Sequence, residues 1–421
     1  MSTLVSTLKK SGMMVVAAAA MSVSFAPVTA SAAVSTFGYQ GLAFGTSITA
    51  AGGAIVSGET AKIAYGCGTP AGLSRTATSA ALTVPPLLSV GTTVSTGATT
   101  VDPTASTTSS TVQTVNLLNA AGAPLVTANA VKSVASATNN GTSYGVSSAG
   151  TTFTGLKVLG LPIAINVAPN TRIALPGIGY VVLNEQRKSV TPISASISVT
   201  AIHVVVTTQN QLGYEVGTNI IVARAAAALS APTGGFLGGF AYGTAVEAAG
   251  LLTSSPSFRI AMPCAGTNGV LRENTGAGIT VPLVLNSGTI QNTAQGSTTT
   301  TADGQTTSTI EDLNVLDGLI TATGIRSVAT ASRAGGVTTL SSAGSSFATI
   351  TVNGTPLVVA DIQPNTVINI AGVGKLTLNK VTKTATAIEV RAIELVIEVA
   401  QVGGLPIGAR VLVAVANASA R

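Results

Sequence analysis

The chain is written twice. Gly41-Leu42-Ala43-Phe44-Gly45-Thr46 returns as Gly239-Phe240-Ala241-Tyr242-Gly243-Thr244, and Cys67 returns as Cys264. Thr83-Val84-Pro85 returns as Thr280-Val281-Pro282, and Ala201-Ile202-His203-Val204 as Ala392-Ile393-Glu394-Leu395. The spacing between partners stays between 191 and 198 residues, in one order along the chain. A period that long is a duplicated domain, not the short repeat of a solenoid. Each copy, at about 190 residues, is large enough to bury its own core. The second copy also checks every candidate site, because a reactive residue in one copy should reappear in the other or be absent for a reason.

Residues 1–32 read as a secretory signal. Lys9 and Lys10 form a positive start, Met13 to Phe25 is an apolar run, and Ala30-Ser31-Ala32 is a small-x-small cleavage site. The apolar run is shorter than the ~20 residues of an ordinary membrane span. Cleavage after Ala32 predicts a mature chain beginning at Ala33, exported, with no integral membrane span left. The apolar stretches near Val396 and Val411 are broken by Glu398, Gly403, Gly404 and Arg410. Copy one is then expected over 33–228 and copy two over 229–421, with Ala225 to Pro232 as the linker.

Strand signals dominate both copies. Pro192 to Val206 alternates apolar and polar residues, with Ile197 and Val199 on one face. After Ala201 the apolar phase moves to Ile202, Val204 and Val206, and the same slip follows Ala392 in copy two. A one-residue slip predicts a bulge, or a strand passing from one sheet to another. Asn170 to Asn184 reads as strand, Gly-rich turn, strand, and recurs at Asn365 to Asn379. Asn353-Gly354 is a type I′ turn signal. The Ser/Thr tracts Thr99–Thr114 and Thr289–Thr309 fit exposed loops or long edge strands equally well. The expectation is an all-β chain of two tandem sandwich-like domains, with a β-solenoid as the alternative.

Composition narrows the chemistry. Only 8% of residues are charged, 46% are hydrophobic and 3% aromatic, with no Trp. That is a folding composition rather than a disordered one, and it offers few rings for stacking sugars or bases. The 18 basic and 14 acidic residues after position 32 are scattered, with no basic patch in the sequence, so nucleic acid is not expected as a partner. Cys67 and Cys264 hold equivalent positions in an exported chain. They either pair across the two copies or sit apart as two buried thiols.

Candidate catalytic residues are few. His203 is the one histidine, and Glu394 replaces it in copy two. Glu185 is followed in copy two by Lys380 at the matching place. A Ser-His-Asp triad or a three-ligand zinc site cannot be assembled from this set and then repeated. Glu389, Glu394 and Glu398, with Arg391 among them, read as a solvated strand face. The sequence therefore assigns no catalytic, cofactor or metal residues. His203 with Glu185 is the place where a single surviving active centre would lie.

Pro169-Asn170-Thr171, Leu175-Pro176-Gly177-Ile178-Gly179, Val182-Leu183-Asn184-Glu185-Gln186 and Ala201-Ile202-His203-Val204 together resemble the choice-of-anchor P proteins. The resemblance covers most of each copy and is clearest in copy one. It implies an exported bacterial surface protein, of a kind common in actinomycetes, whose members share this region and differ in their C-terminal anchor. The terminus Ala416-Asn417-Ala418-Ser419-Ala420-Arg421 shows neither a sorting motif nor an apolar tail. The resulting expectation is a non-enzymatic envelope protein, structural or adhesive, whose partners are cell-wall or other surface components. The rival readings are a polysaccharide-active enzyme and a carrier of a lipid-like ligand.

Overall fold

A computed structural model describes residues 37–49, 55–120, 123–248, 251–254, 256–399 and 402–421. The expected signal at 1–32 and its cleavage site lie outside the described residues. Strand makes up 64% of the structure and helix 1%, in several antiparallel sheets, none closed. Neighbouring strands pair antiparallel throughout, which fits tandem sandwiches and not the parallel coils of a β-solenoid.

The long strands of copy one are β1 (Gly38–Thr49), β2 (Thr93–Val101), β3 (Thr104–Ala120), β4 (Ala123–Asn139), β5 (Gly179–Thr191), β6 (Ser194–Val206) and β7 (Asn219–Ser230). Those of copy two are β8 (Leu237–Ala248), β9 (Ile290–Ser297), β10 (Ala302–Val315), β11 (Ile320–Ala334), β12 (Gly374–Lys383), β13 (Ala387–Ile397) and β14 (Arg410–Ala420). In copy one the order β5-β6-β7-β1 forms the centre of a seven-stranded sheet, and β2-β3-β4 lies in the sheet facing it. Copy two repeats this as β12-β13-β14-β8 facing β9-β10-β11. The expected hairpins are present: Thr171–Leu175 pairs with β5, and Thr366–Ile370 with β12. Asn353 and Gly354 both have left-handed backbones, as a type I′ turn demands.

Two expectations need correction. Ala225 to Ser230 is not linker: it continues β7, paired on both sides, with Ala225, Ala227 and Leu229 buried. A run of alanines hides the period of two, because Ala suits either face. The connection is confined to residues 231–236, and the copy boundary moves past Ser230. The Ser/Thr tracts are mostly internal strands, joined by short turns at 102–103 and 298–301, and not edges. The 17-residue β3 pairs with both β2 and β4. Its Ser106 and Thr108 turn inward, where Ser106 Oγ donates to the Gln40 carbonyl (2.8 Å) and Thr108 Oγ1 to the Ala226 carbonyl (3.0 Å) of the opposing sheet. Copy two repeats the device, with Thr306 Oγ1 donating to the Asn417 carbonyl and Ser308 Oγ to the Tyr242 carbonyl, both at 2.9 Å. Small hydroxyl residues let the sheets approach closely enough to bond across the core, each bond worth about 1 kcal/mol.

The phase slip is real, but no residue is inserted and no strand changes sheets. Leu183 pairs with Ile202 and Glu185 with Thr200, so the register is unbroken across Ala201. The neighbouring ladders also keep their register through Ala223 and Gly45. The pleat reverses in all four strands at one row: Asn184, Ala201, Ala223, Gly45. Asn184 (φ 52°) and Ala223 (φ 52°) take the left-handed conformation on alternate strands. Copy two has the same row at Asn379, Ala392, Ala414 and Gly243, with φ of 47° at Asn379 and 46° at Ala414. Gly45 is required because a Cβ there would stand 2.0 Å from Thr93 Cγ2 of the facing sheet.

This crease divides each sandwich. On one side of it lies an aliphatic core, including Leu183, Ile202, Val204, Ile220 and Val222. On the other lies a core of small residues with Tyr39 and Tyr65. Both half-strands keep their apolar side toward the facing sheet, so the slip read in the sequence holds one core face along a bent strand.

Candidate functional site

The crease decides which polar side chains can meet. In a regular ladder, Glu185 and His203 would stand on opposite faces, because Glu185 pairs with Thr200, three positions from His203. The pleat reversal brings both outward. Glu185 Oε2 accepts from His203 Nδ1 at 2.8 Å. Across the ring, His203 Nε2 meets Asn219 Oδ1 at 3.2 Å, at the start of β7. The Asn219 amide is oriented, because its Nδ2 donates to the Gly217 carbonyl at 2.8 Å. Arg187 adds an ion pair to Glu185 at 3.2 Å. The His203 hydrogen bond, first among several effects, holds Glu185 down at about 2. Arg224 on β7 is deeply enclosed nearby, and burial pushes its guanidinium below the ordinary value.

Copy two places a different set at the same three positions. Lys380 stands for Glu185, Glu394 for His203 and Arg410 for Asn219. Glu394 Oε2 is 2.8 Å from Lys380 Nζ and 2.9 Å from Arg391 Nη1, and Oε1 is 2.6 Å from Arg410 Nη2. Arg391 and Glu394 are three apart on one strand, so they share a face only because the pleat reverses at Ala392 between them. Burial works against the charge on Glu394, but hydrogen bonds from Lys380, Arg410 and Arg391 overcome it and hold the carboxyl at about 2. Arg391 also pairs with Glu389 at 2.6 Å, and Arg410 with Glu247 at 3.3 Å. Glu394 is therefore not on a solvated strand face: it is 3% exposed, while Glu398 is exposed. The three covering cations make that burial tolerable.

The chemistry open to the copy-one cluster is limited. Both ring nitrogens of His203 face oxygen acceptors. The atom opposite Glu185 is an oriented amide oxygen, where a triad would place a hydroxyl.

The structure joins Cys67 and Cys264 in a disulfide, with 5.4 Å between their Cα atoms. The bond links copy one to copy two. Beside it, Gln40 Nε2 donates to the Met262 carbonyl at 3.1 Å. Comparison with protein-family models, with curated proteins and with solved structures finds no match. Among the described residues, no helix is long and apolar enough to cross a membrane.

Proposed function

We propose that this is a non-enzymatic exported protein of the bacterial envelope, a structural or adhesive member of the choice-of-anchor P group. One observation carries the non-catalytic part: the polar cluster at the crease keeps its place in both copies while its chemistry is exchanged. The acid at 185 gives way to Lys380, the imidazole at 203 to Glu394 and the amide at 219 to Arg410. A structural polar cluster accepts that exchange, since it requires only that the enclosed acid find donors around it. A catalytic centre does not, because losing one group costs orders of magnitude in rate. The envelope part rests on the signal-like N-terminus and on the resemblance of the quoted motifs.

Export is tested by N-terminal sequencing of the secreted chain, expected to begin at Ala33; a chain retaining Met1 in the membrane fraction refutes it. The non-catalytic reading is tested with Glu185→Gln and His203→Ala. Both variants should sediment with purified cell walls as well as the parent does. Turnover of a wall or extracellular glycan that either substitution abolishes would establish the enzyme reading instead.

A further inference from the structure

The outer faces of the two seven-stranded sheets open onto one shared cleft of about 910 Å³. Copy one contributes Gln40, Ser196 and Ser198, and copy two contributes Phe240, Asn417 and Ser419. The charged residues lining it are Lys62, Arg187, Lys188, Arg259 and Arg421, and no Asp or Glu lines it. The fold thus corrects the sequence impression of scattered charge: cations far apart in the chain are gathered around one hollow. Lys62 and Arg187 are partly answered by Glu59 and Glu185. Arg259 and Arg421 form no ion pair among the described residues. The Arg259 guanidinium lies 4.9 Å from the centre of the Phe240 ring. Its surroundings desolvate it enough to lower its pKa from the ordinary value. Arg421 reaches from copy two over Gly68 of copy one, where an added Cβ would stand 1.5 Å from its Nη1. The adjoining disulfide, whose Cys67 lines the cleft, ties these two walls together.

We propose that this inter-copy cleft binds an acidic polysaccharide, with Arg259 and Arg421 receiving its anionic groups and the serines, Asn417 and Gln40 receiving its hydroxyls. The volume suits a segment of a few sugar units, at the upper end of ordinary ligand sites. The cations are few and stand among uncharged hydroxyl and amide side chains, which matches a chain whose acids alternate with hydroxyls. A nucleic acid presents a phosphate at every nucleotide and is gripped through many such contacts and through stacked bases. Phe240 is already occupied by Arg259 on one side and stacks with Tyr242 at 5.9 Å between centroids. Binding needs only the cleft, so it goes beyond the envelope reading and does not depend on where the protein works.

The test is titration calorimetry of the purified, disulfide-bonded protein with hyaluronate oligosaccharides, dextran sulfate, neutral dextran and a single-stranded oligonucleotide. The first two distinguish carboxylate from sulfate as the preferred anion, and binding of either supports the site. The double variant Arg259→Gln/Arg421→Gln should lose affinity about tenfold or more, with weaker salt dependence than the parent. Arg272→Gln/Lys375→Gln removes the same charge outside the cleft and should stay within about twofold of the parent. Unchanged far-ultraviolet dichroism and melting temperature separate lost binding from lost folding. No binding of either acidic glycan overturns the proposal, as does equal loss in the two double variants. Neutral dextran binding as tightly as the acidic glycans refutes the role of the cations, and an oligonucleotide binding more tightly refutes the glycan assignment. Failure of cell-wall sedimentation would count against the envelope reading alone.

Discussion

Glu394→Gln is the substitution whose cost the structure predicts most directly. The side chain is 4% exposed and touches Lys380, Arg391 and Arg410. Its carboxyl lies at about 2, against an ordinary 4.5. At about 1.4 kcal/mol for each pH unit of depression, the folded state gains roughly 3 kcal/mol from that ionised group. The sign follows from the depressed value: the contribution is complete above about pH 4.5 and drains away as pH falls toward 2. Guanidinium unfolding of parent and variant, read on the copy-two transition, should show a gap of roughly 3 kcal/mol at pH 7. At pH 3 the gap should fall below half of that, because the unfolded carboxyl is then largely protonated while the folded one, held at about 2, is still mostly ionised. The matched shape of Gln keeps the packing, so the difference reports the charge. A gap of the same size at both pH values would assign the effect to packing. A gap under about 1 kcal/mol at pH 7 would mean that the three cations do not stabilise the acid at all.

Glu185→Gln should act in the same pH window on the copy-one transition, since Glu185 is also held at about 2. Replacing Cys67 and Cys264 together by Ser opens a loop with a sequence separation of 197. Chain entropy sets an upper limit of about 5 kcal/mol on the loss. If the two copies unfold independently the loss in calorimetry should be much less than that, whereas a single coupled transition should approach the limit and a loss beyond it would refute the entropic account. At the crease, Ala223→Gly should leave stability unchanged or raise it by up to about 1 kcal/mol, because Ala223 is held left-handed. Ala223→Val should cost about 2 kcal/mol or more, and thermal melts of both variants distinguish strain from mere tolerance at this site.

Much of the fold is legible in the residues. The paired spacing of Cys67 with Cys264 fixes the duplication, and the Gly-rich turns after Leu175 and Ile370 mark true hairpins. What is hidden is hidden for a reason. Thr104 to Ser110 carries no hydropathy alternation because both of its faces are small and polar. The inward Ser106 and Thr108 are told from their neighbours only by the carbonyls they reach in the other sheet. The alanines of β7 conceal their alternation in the same way. The slip at Ala201 and Ala392 is plain in the sequence, and a charged or titratable residue stands two positions after it in both copies. That coincidence is the one sequence signal for the polar cluster. The partners Asn219 and Arg410 come from another strand and carry no such mark. The cleft has no sequence signal, since Lys62, Arg187, Arg259 and Arg421 meet only after two domains are folded and joined.

The duplication separates what the scaffold demands from what it leaves free. Both copies keep the left-handed Asn and Ala at the crease, together with a glycine where the facing sheet comes near. Both keep the hydroxyl bonds that hold one sheet to the other. These are positions where backbone geometry selects the residue. At the outward face of the crease what is kept is an acid held by neighbouring donors, and that acid sits on β5 in one copy and on β13 in the other. Arg224, enclosed beside Glu185, has Val415 at its counterpart in copy two. The charges at the outward face of the crease have therefore diverged, while the crease residues and the hydroxyl bonds between the sheets are kept. The outer residues that line the cleft differ between the copies too: Ser198 of copy one answers to Glu389 of copy two, and Asn417 of copy two answers to Ala226 of copy one, as expected where each face is selected for what it contributes to the pair and no longer has to match its counterpart.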